Sequence, residues 1–303
     1  MDQHVGSGPQ PPETTEIGLD DGPIHVGRWR PDAGGIPVLA IHGITANLMC
    51  WARLAELLPD RCVIAPDLRG RGGSRDLPPG GLVQHADDLA RVLEELGVDR
   101  AVVVGHSMGA FVAVRFAERH PEKVERLVLV DGGLPLPPAP PREDGSVPTP
   151  AELLGPVFER LTTTFPDRES YHRFWQAHPA IGALWDDYAR AYVDGDLVGG
   201  PPAMTPAARP EAARLNADEL TGPEEYVAAL RGLPGPVPLL TAPRGLFDES
   251  AGMYPPAWLQ RWDEELEHVE IREVPDVNHY GIVLAQAGAR QVAATITRQE
   301  ETA

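Results

Sequence analysis

Cysteine is nearly absent from this chain. Its two thiols, Cys50 and Cys62, match no metal-ligand spacing and have no histidine arrangement beside them that would activate either one. They read as ordinary thiols, and no metal site is expected. Positive charge is also scarce, since 26 Lys and Arg stand against 45 Asp and Glu, a formal net charge of −19. That balance repels phosphate backbones and anionic lipid surfaces, so neither a nucleic-acid nor a membrane partner is expected. No segment approaches the roughly 18 consecutive apolar residues of a membrane span. The opening stretch MDQHVGSGPQPPETTE lacks the basic and apolar regions of a secretory signal or an anchor, which makes a cytoplasmic location the expectation. No internal repeat is visible.

What is present is the composition of a soluble globular protein: 303 residues, 42% hydrophobic and 23% charged. The length allows one large core, or a core with a subdomain. Its 33 prolines cluster in the opening segment and around 134–150, 199–210 and 232–238, where they mark boundaries and irregular connections. Short apolar runs at 24–29, 37–43, 62–67, 101–107, 126–133, 237–243 and 269–275 read as strands. Amphipathic patterns at 46–59, 82–97, 108–121, 256–268 and 281–299 read as helices. Near-continuously apolar strands alternating with helices predict an α/β fold with a mostly parallel sheet covered on both faces. From about 134 to 236 no convincing strand is visible. The expected organisation is therefore a flexible leader over 1–14, a core over 15–133 and 237–303, and an inserted, mainly helical cap over 134–236.

The stretch VVVGHSMGAFVAVRFAERHP (102–121) sets a serine between glycines where a strand pattern becomes a helix pattern. At the C-terminal edge of a parallel sheet, such a turn holds a hydroxyl above the sheet in a conformation that flanking glycines make sterically accessible. The helix that starts there brings its positive dipole end and free N–H groups, which suit a developing oxyanion. Gly105-His106-Ser107-Met108-Gly109 thus fits a nucleophile elbow with Ser107 as nucleophile.

In this arrangement the acid and then the histidine follow the serine. Beyond the helix pattern that follows Ser107 come His172, His178, His268 and His279. The first two lie in the expected cap and His268 ends a helix. His279, in the loop VPDVNHYG between the last strand and last helix, is the expected base. For the acid, Asp248 in LLTAPRGLFDES is preferred, with Asp131 in LVLVDGG as its competitor and Glu249 as a third choice; Asp276 is too near His279 in sequence. Two N–H donors are expected to form an oxyanion hole, those of Met108 and of Ile44 after the strand at 37–43. His42 is expected to hold that loop rather than act as a base.

With these residues in view, PVLAIHGITAN, CVIAPDLRGRGGS and VVVGHSMGAFVAVRFAERHPEKVERLVLVDG resemble, nearly piece by piece, the oxyanion strand, the Asp-Gly-rich loop and the nucleophile region of the α/β-hydrolase superfamily. The similarity covers most of 15–133 and 237–298. It departs from the usual pattern at Pro-Arg in the acid loop and at Asn-His where Gly-His is more common.

The resemblance implies an α/β-hydrolase fold, and serine rather than aspartate at position 107 implies acyl chemistry without metal or cofactor. The expected activity is hydrolysis of a carboxylic ester or lactone of a small to medium, largely apolar molecule, through an acyl-enzyme. Within the same fold, C–C bond hydrolases, thioesterases and haloperoxidase-like enzymes are alternatives, as is a non-catalytic ligand binder. Oligomeric state is left open, a homo-oligomer included. Nine of the 18 aromatic residues fall in the expected cap, and Trp175, Trp185 and Tyr188 are the first candidates to face the substrate.

Overall fold

The computed structural model describes residues 8–298. Each of the seven expected runs holds a strand. In chain order the strands are β1 (Glu13–Leu19), β2 (Gly22–Trp29), β3 (Val38–Ile41), β4 (Val63–Pro66), β5 (Ala101–His106), β6 (Val124–Val130), β7 (Leu197–Gly200), β8 (Ala203–Pro206), β9 (Val237–Thr241) and β10 (Val269–Glu273). Eight form one sheet in the order β1-β2-β4-β3-β5-β6-β9-β10. From β4 to β10 every neighbouring pair is parallel, and β1 and β2 close one edge antiparallel.

The apolar runs are continuous because both faces of the sheet are covered. Along β5, Val102 and Val104 pack toward Trp51, Leu54, Val292 and Ile296 on one side. Val103 between them packs toward Leu89, Leu93, Phe111 and Phe116 on the other. Both layers come from helices expected from the sequence, among them Leu82–Glu95 and Met108–Arg119. The last expected helix is interrupted: a single turn at Gly281–Leu284 ends at extended Ala285 before Gln286–Thr297 begins, and residue 299 lies outside the described residues.

Two expectations about organisation change. Residues 1–7 of the expected leader lie outside the described residues, but 8–14 are held on the sheet. The Trp29 indole Nε1–H donates to the Gln10 carbonyl at 2.8 Å, and Glu13 already pairs with Arg28 in the β1–β2 ladder. The polar alternation of β1, whose outer face meets solvent at the sheet edge, disguised it as leader. Between β6 and β9, the segment expected to lack strands contains the antiparallel hairpin β7–β8 among its short helices. Glycine and proline at the hairpin turn, Gly199-Gly200-Pro201-Pro202, hide two four-residue strands.

That segment is fastened to the sheet by bonds between residues far apart in sequence. Asn47 Nδ2 donates to Tyr192 O at 3.0 Å, Arg75 donates to Pro206 O and Ala207 O at 2.8 Å, and Asn278 Nδ2 donates to Ala180 O at 3.0 Å. His85 Nε2–H donates to Asn216 Oδ1, whose amide in turn donates to Gly80 O. Burial pushes His85 down to about 3, so it takes up this position as a neutral ring. Among the described residues no helix is long and apolar enough to cross a membrane.

Backbones approach closely where β5 turns into helix Met108–Arg119. A Cβ at Gly105 would collide with the Gly109 carbonyl, and one at Gly109 with the carbonyl of Ile41 on neighbouring β3. Both obstacles are backbone, which cannot rotate aside. Gly109→Ala is therefore expected to destabilise the protein by at least about 2 kcal/mol, read as a lowered urea midpoint; an unchanged midpoint would mean that the crossing of helix and strand is looser than described.

Candidate active site

Ser107 stands where β5 ends, with φ +56° and ψ −126°, a conformation rare for a residue with a side chain. Its own N–H donates to Val130 O on β6, and its carbonyl accepts from Ala110 N, both at 3.0 Å. The strained turn is thus clamped on both sides, and the side chain is left at the top of the sheet with 7% of the residue exposed.

His279 arrives on the loop after β10. Its Nδ1 lies 2.7 Å from Asp131 Oδ2, and both side chains are buried. A carboxylate only accepts, so Nδ1 carries the proton and Nε2 is left with a free lone pair. Asp131 is the first residue beyond β6, turned by φ +42°, and its second oxygen accepts the Ala242 N–H at 3.0 Å. His106 supports the loop from below: its Nε2–H donates to the His279 carbonyl at 2.9 Å, with the two rings 4.6 Å apart. Burial pushes His106 well below the usual imidazole range, so it remains a neutral donor.

The acid expected from the sequence is therefore corrected. Asp248 does not reach His279; its Oδ1 accepts from Asn278 Nδ2 at 2.9 Å, and it pairs with Arg244 at 3.1 Å on a partly exposed loop. Asp131 occupies the place beside the imidazole because β6 delivers it there directly, whereas Asp248 lies several residues past β9 and is already engaged. Glu249 turns back to the Phe247 N–H within its own loop. Asp276 offers its carbonyl to Arg244.

The other histidines weighed for the site have other partners. His172 meets Asp194 and His268 meets Leu230 O, while His178 accepts from Ala180 N. His42 is fixed as a neutral ring, donating from Nδ1 to Gly43 O at 2.8 Å and accepting Leu68 N–H on Nε2 at 2.9 Å. Desolvation pushes it down to about 3. It shapes the loop that carries Ile44. Among the described residues, neither the Ile44 nor the Met108 N–H has a protein acceptor. Gly43, next to Ile44, faces Ser107 so closely that a Cβ there would stand 3.1 Å from the serine Cβ.

Ser107 and His279 both line one cavity. Leu136, Leu154, Val157, Leu220 and Tyr192 line it from the segment between β6 and β9, and Leu246, Met253 and Tyr280 through Leu284 from the core side, Gly281 and Ile282 excepted. Among the described residues no Asp, Glu, Lys or Arg side chain belongs to this lining. The three aromatic residues expected to face the substrate do not line it. Trp175 is buried against Tyr171 and Tyr192 beneath the Arg160 guanidinium, inside the core of the segment itself. Trp185 packs on His172, and Tyr188 lies 3.9 Å beneath the Arg53 guanidinium. Two of these rings are thus taken up in packing within their own segment and the third in packing on Arg53, and aliphatic residues form most of the lining. Tyr192 is the exception. Among the described residues no group of three or more His, Cys, Asp and Glu is placed to hold a metal.

Comparison with known proteins adds to this geometry. Lipase LipV of Mycobacterium tuberculosis is 41% identical over 113 residues, which are 37% of this chain and 43% of that protein. The 2-hydroxymuconate semialdehyde hydrolase of a Pseudomonas species is 38% identical over 107 residues, 33% of this chain and 38% of its own. The chain thus spans less than half the length of either relative. The crystal structure of E-2-(acetamidomethylene)succinate hydrolase superposes with a TM-score of 0.75 at 20% identity, covering 94% of this chain and 98% of that one, a likeness of fold. The family description of the α/β hydrolase fold matches residues 36–199, more than half of the sequence. With a strained serine turn at the end of β5 and a sheet parallel from β4 to β10, the chain belongs to the α/β hydrolase fold family.

Proposed function

We propose that the protein is a serine hydrolase that cleaves a carboxylic ester or lactone with a neutral, largely apolar acyl part. The observation that carries this reading is that His279, paired with buried Asp131, lines the same cavity as Ser107, a cavity without Asp, Glu, Lys or Arg in its lining. His279 Nε2 takes the proton of the Ser107 hydroxyl as its oxygen bonds to the carbonyl carbon. Asp131 stabilises the imidazolium so formed and keeps it in the productive orientation. The Ile44 and Met108 N–H groups hold the negative oxygen of the tetrahedral intermediate. His279 then gives its proton to the departing alcohol oxygen, and water repeats the sequence on the acyl-enzyme to release the acid. No metal or cofactor has a part in these steps.

The lipase relative supports an ester as substrate. The lining argues against a dicarboxylate such as the one in the name of the structurally similar succinate hydrolase, because no Arg or Lys faces the cavity to hold an anionic group.

Ser107→Ala is expected to lower turnover of an activated ester by at least about 10³-fold and to abolish the burst of released alcohol, with the urea midpoint little changed. Turnover above a few per cent of wild type would remove Ser107 from the nucleophile's role. Asp131→Asn is expected to cost about 10⁴-fold in kcat, since an amide favours the wrong imidazole tautomer, whereas Asp248→Asn costs less than about tenfold; equal losses in the two variants would contradict the assignment of the acid. For specificity, Val157→Trp fills part of the cavity. It is expected to lower kcat/KM for a long-chain or ring-containing ester relative to an acetate ester by about 10- to 200-fold, while Trp185→Ala leaves that ratio unchanged. Comparison of the two substrates across both variants checks this, and an altered ratio in Trp185→Ala alone would place the pocket elsewhere.

A further inference from the structure

Behind the serine turn lies a cation that the scheme above does not use. Arg71, in the loop after β4, is fully buried. Its neighbour Arg69 is neutralised by Asp88 and Asp21, but among the described residues Arg71 has no carboxylate partner. Its guanidinium is satisfied by carbonyls instead. Nε–H donates to Ile44 O at 2.9 Å, one terminal nitrogen donates to Arg69 O at 2.7 Å, and the other donates to Ala212 O at 3.2 Å. That last nitrogen also lies 3.9 Å from Met108 Sδ.

A buried guanidinium without a counter-ion is costly, and an apolar side chain would fill the same volume at lower cost. Its contacts suggest what the charge does there. Ile44 and Met108 are the two residues to which the proposed scheme gives the oxyanion-hole N–H groups, and Arg71 touches both. We propose that Arg71 is the positioning residue of the oxyanion hole: it fixes the Ile44 turn through its carbonyl, braces Met108, ties both to the covering segment at Ala212, and leaves its own positive charge unspent behind the site where negative charge develops. A fixed cation in a low-dielectric setting favours the tetrahedral state over the neutral bound ester. Burial pushes the Arg71 guanidinium down to about 9, so it still carries its charge at neutral pH.

The inference rests on the serine-hydrolase reading, and the test separates the two. Arg71→Met and Arg71→Lys are compared with Arg75→Met, which cuts another tie to the covering segment, at Pro206 and Ala207, without touching Ile44 or Met108. For each, kcat and KM on an activated ester are measured together with the inhibition constant of a trifluoromethyl ketone, which forms a tetrahedral oxyanion on serine. Arg71→Met is expected to lower kcat by about 10- to 100-fold with KM within about twofold. Ketone binding should weaken by a similar factor, Arg71→Lys should recover part of the loss, and Arg75→Met should match wild type. Wild-type kcat in Arg71→Met, a loss confined to KM, or an equal loss in Arg75→Met would overturn the proposal. If Arg71→Met does not fold, Arg71→Lys decides: one ammonium cannot span three carbonyls, so kcat falls at least about fivefold, and a wild-type value overturns the proposal. An active Ser107→Ala would instead overturn the underlying reading, whereas an inactive Ser107→Ala beside unaffected Arg71 variants would remove only the role of Arg71.

Discussion

The helix that begins at Met108 passes so close to β3 that the backbone at Gly109 meets the Ile41 carbonyl with no room for a side chain. This contact sets the angle at which β5 must turn, and the angle forces Ser107 into its positive-φ conformation. Strain at one residue persists only where its surroundings over-determine it. Here the hydrogen bonds to Val130 and Ala110 do so, while apolar layers on both faces of the sheet keep β3, β5 and β6 in register. The free N–H groups at the start of the helix and the approach of Gly43 to Ser107 follow from the same crossing.

The electrostatics of the site depend on burial more than on numbers of charges. Asp131 and His279 are both buried, and the carboxylate is matched by two donors, the imidazole and the Ala242 N–H. His42 and His106 sit close by as neutral rings because desolvation opposes their protonation. Each has its tautomer set by the backbone groups it meets. The site therefore surrounds one oriented imidazole with fixed dipoles, and Arg71 adds a full charge behind them.

The sheet, most of its helices and the serine turn were legible because each is written locally: β-branched runs, a glycine on either side of Ser107, and a helical period after it. That residue 279 lies in the loop after the last strand was legible as well. Asp131 against Asp248 was not, because both stand after buried strands and the choice depends on which strand end lies beneath the imidazole. That is a long-range matter, expressed in the single contact between residues 131 and 279. The lining was hidden for another reason. Leu136, Leu154, Val157 and Leu220 look like core residues in sequence, whereas Trp175, Trp185 and Tyr188 look like ligand contacts, yet Trp175 and Trp185 pack within their own segment and Tyr188 packs on Arg53 of the core. The partly polar β1 and the proline-interrupted β7–β8 escaped notice because their environment, not their composition, makes them strands.

The uncharged lining also bears on how a reaction cycle would end. On the proposed chemistry a neutral molecule enters and an acid is formed in place, beside leucine, valine and methionine side chains that offer a carboxylate no counter-ion. An anion in such surroundings is far less stable than in water, and the protein around it carries a net charge of −19. Once its carboxylate leaves the oxyanion hole and the charge of Arg71, the acid meets nothing in the cavity that would hold it, and its expulsion would oppose both its accumulation in the site and the reverse reaction.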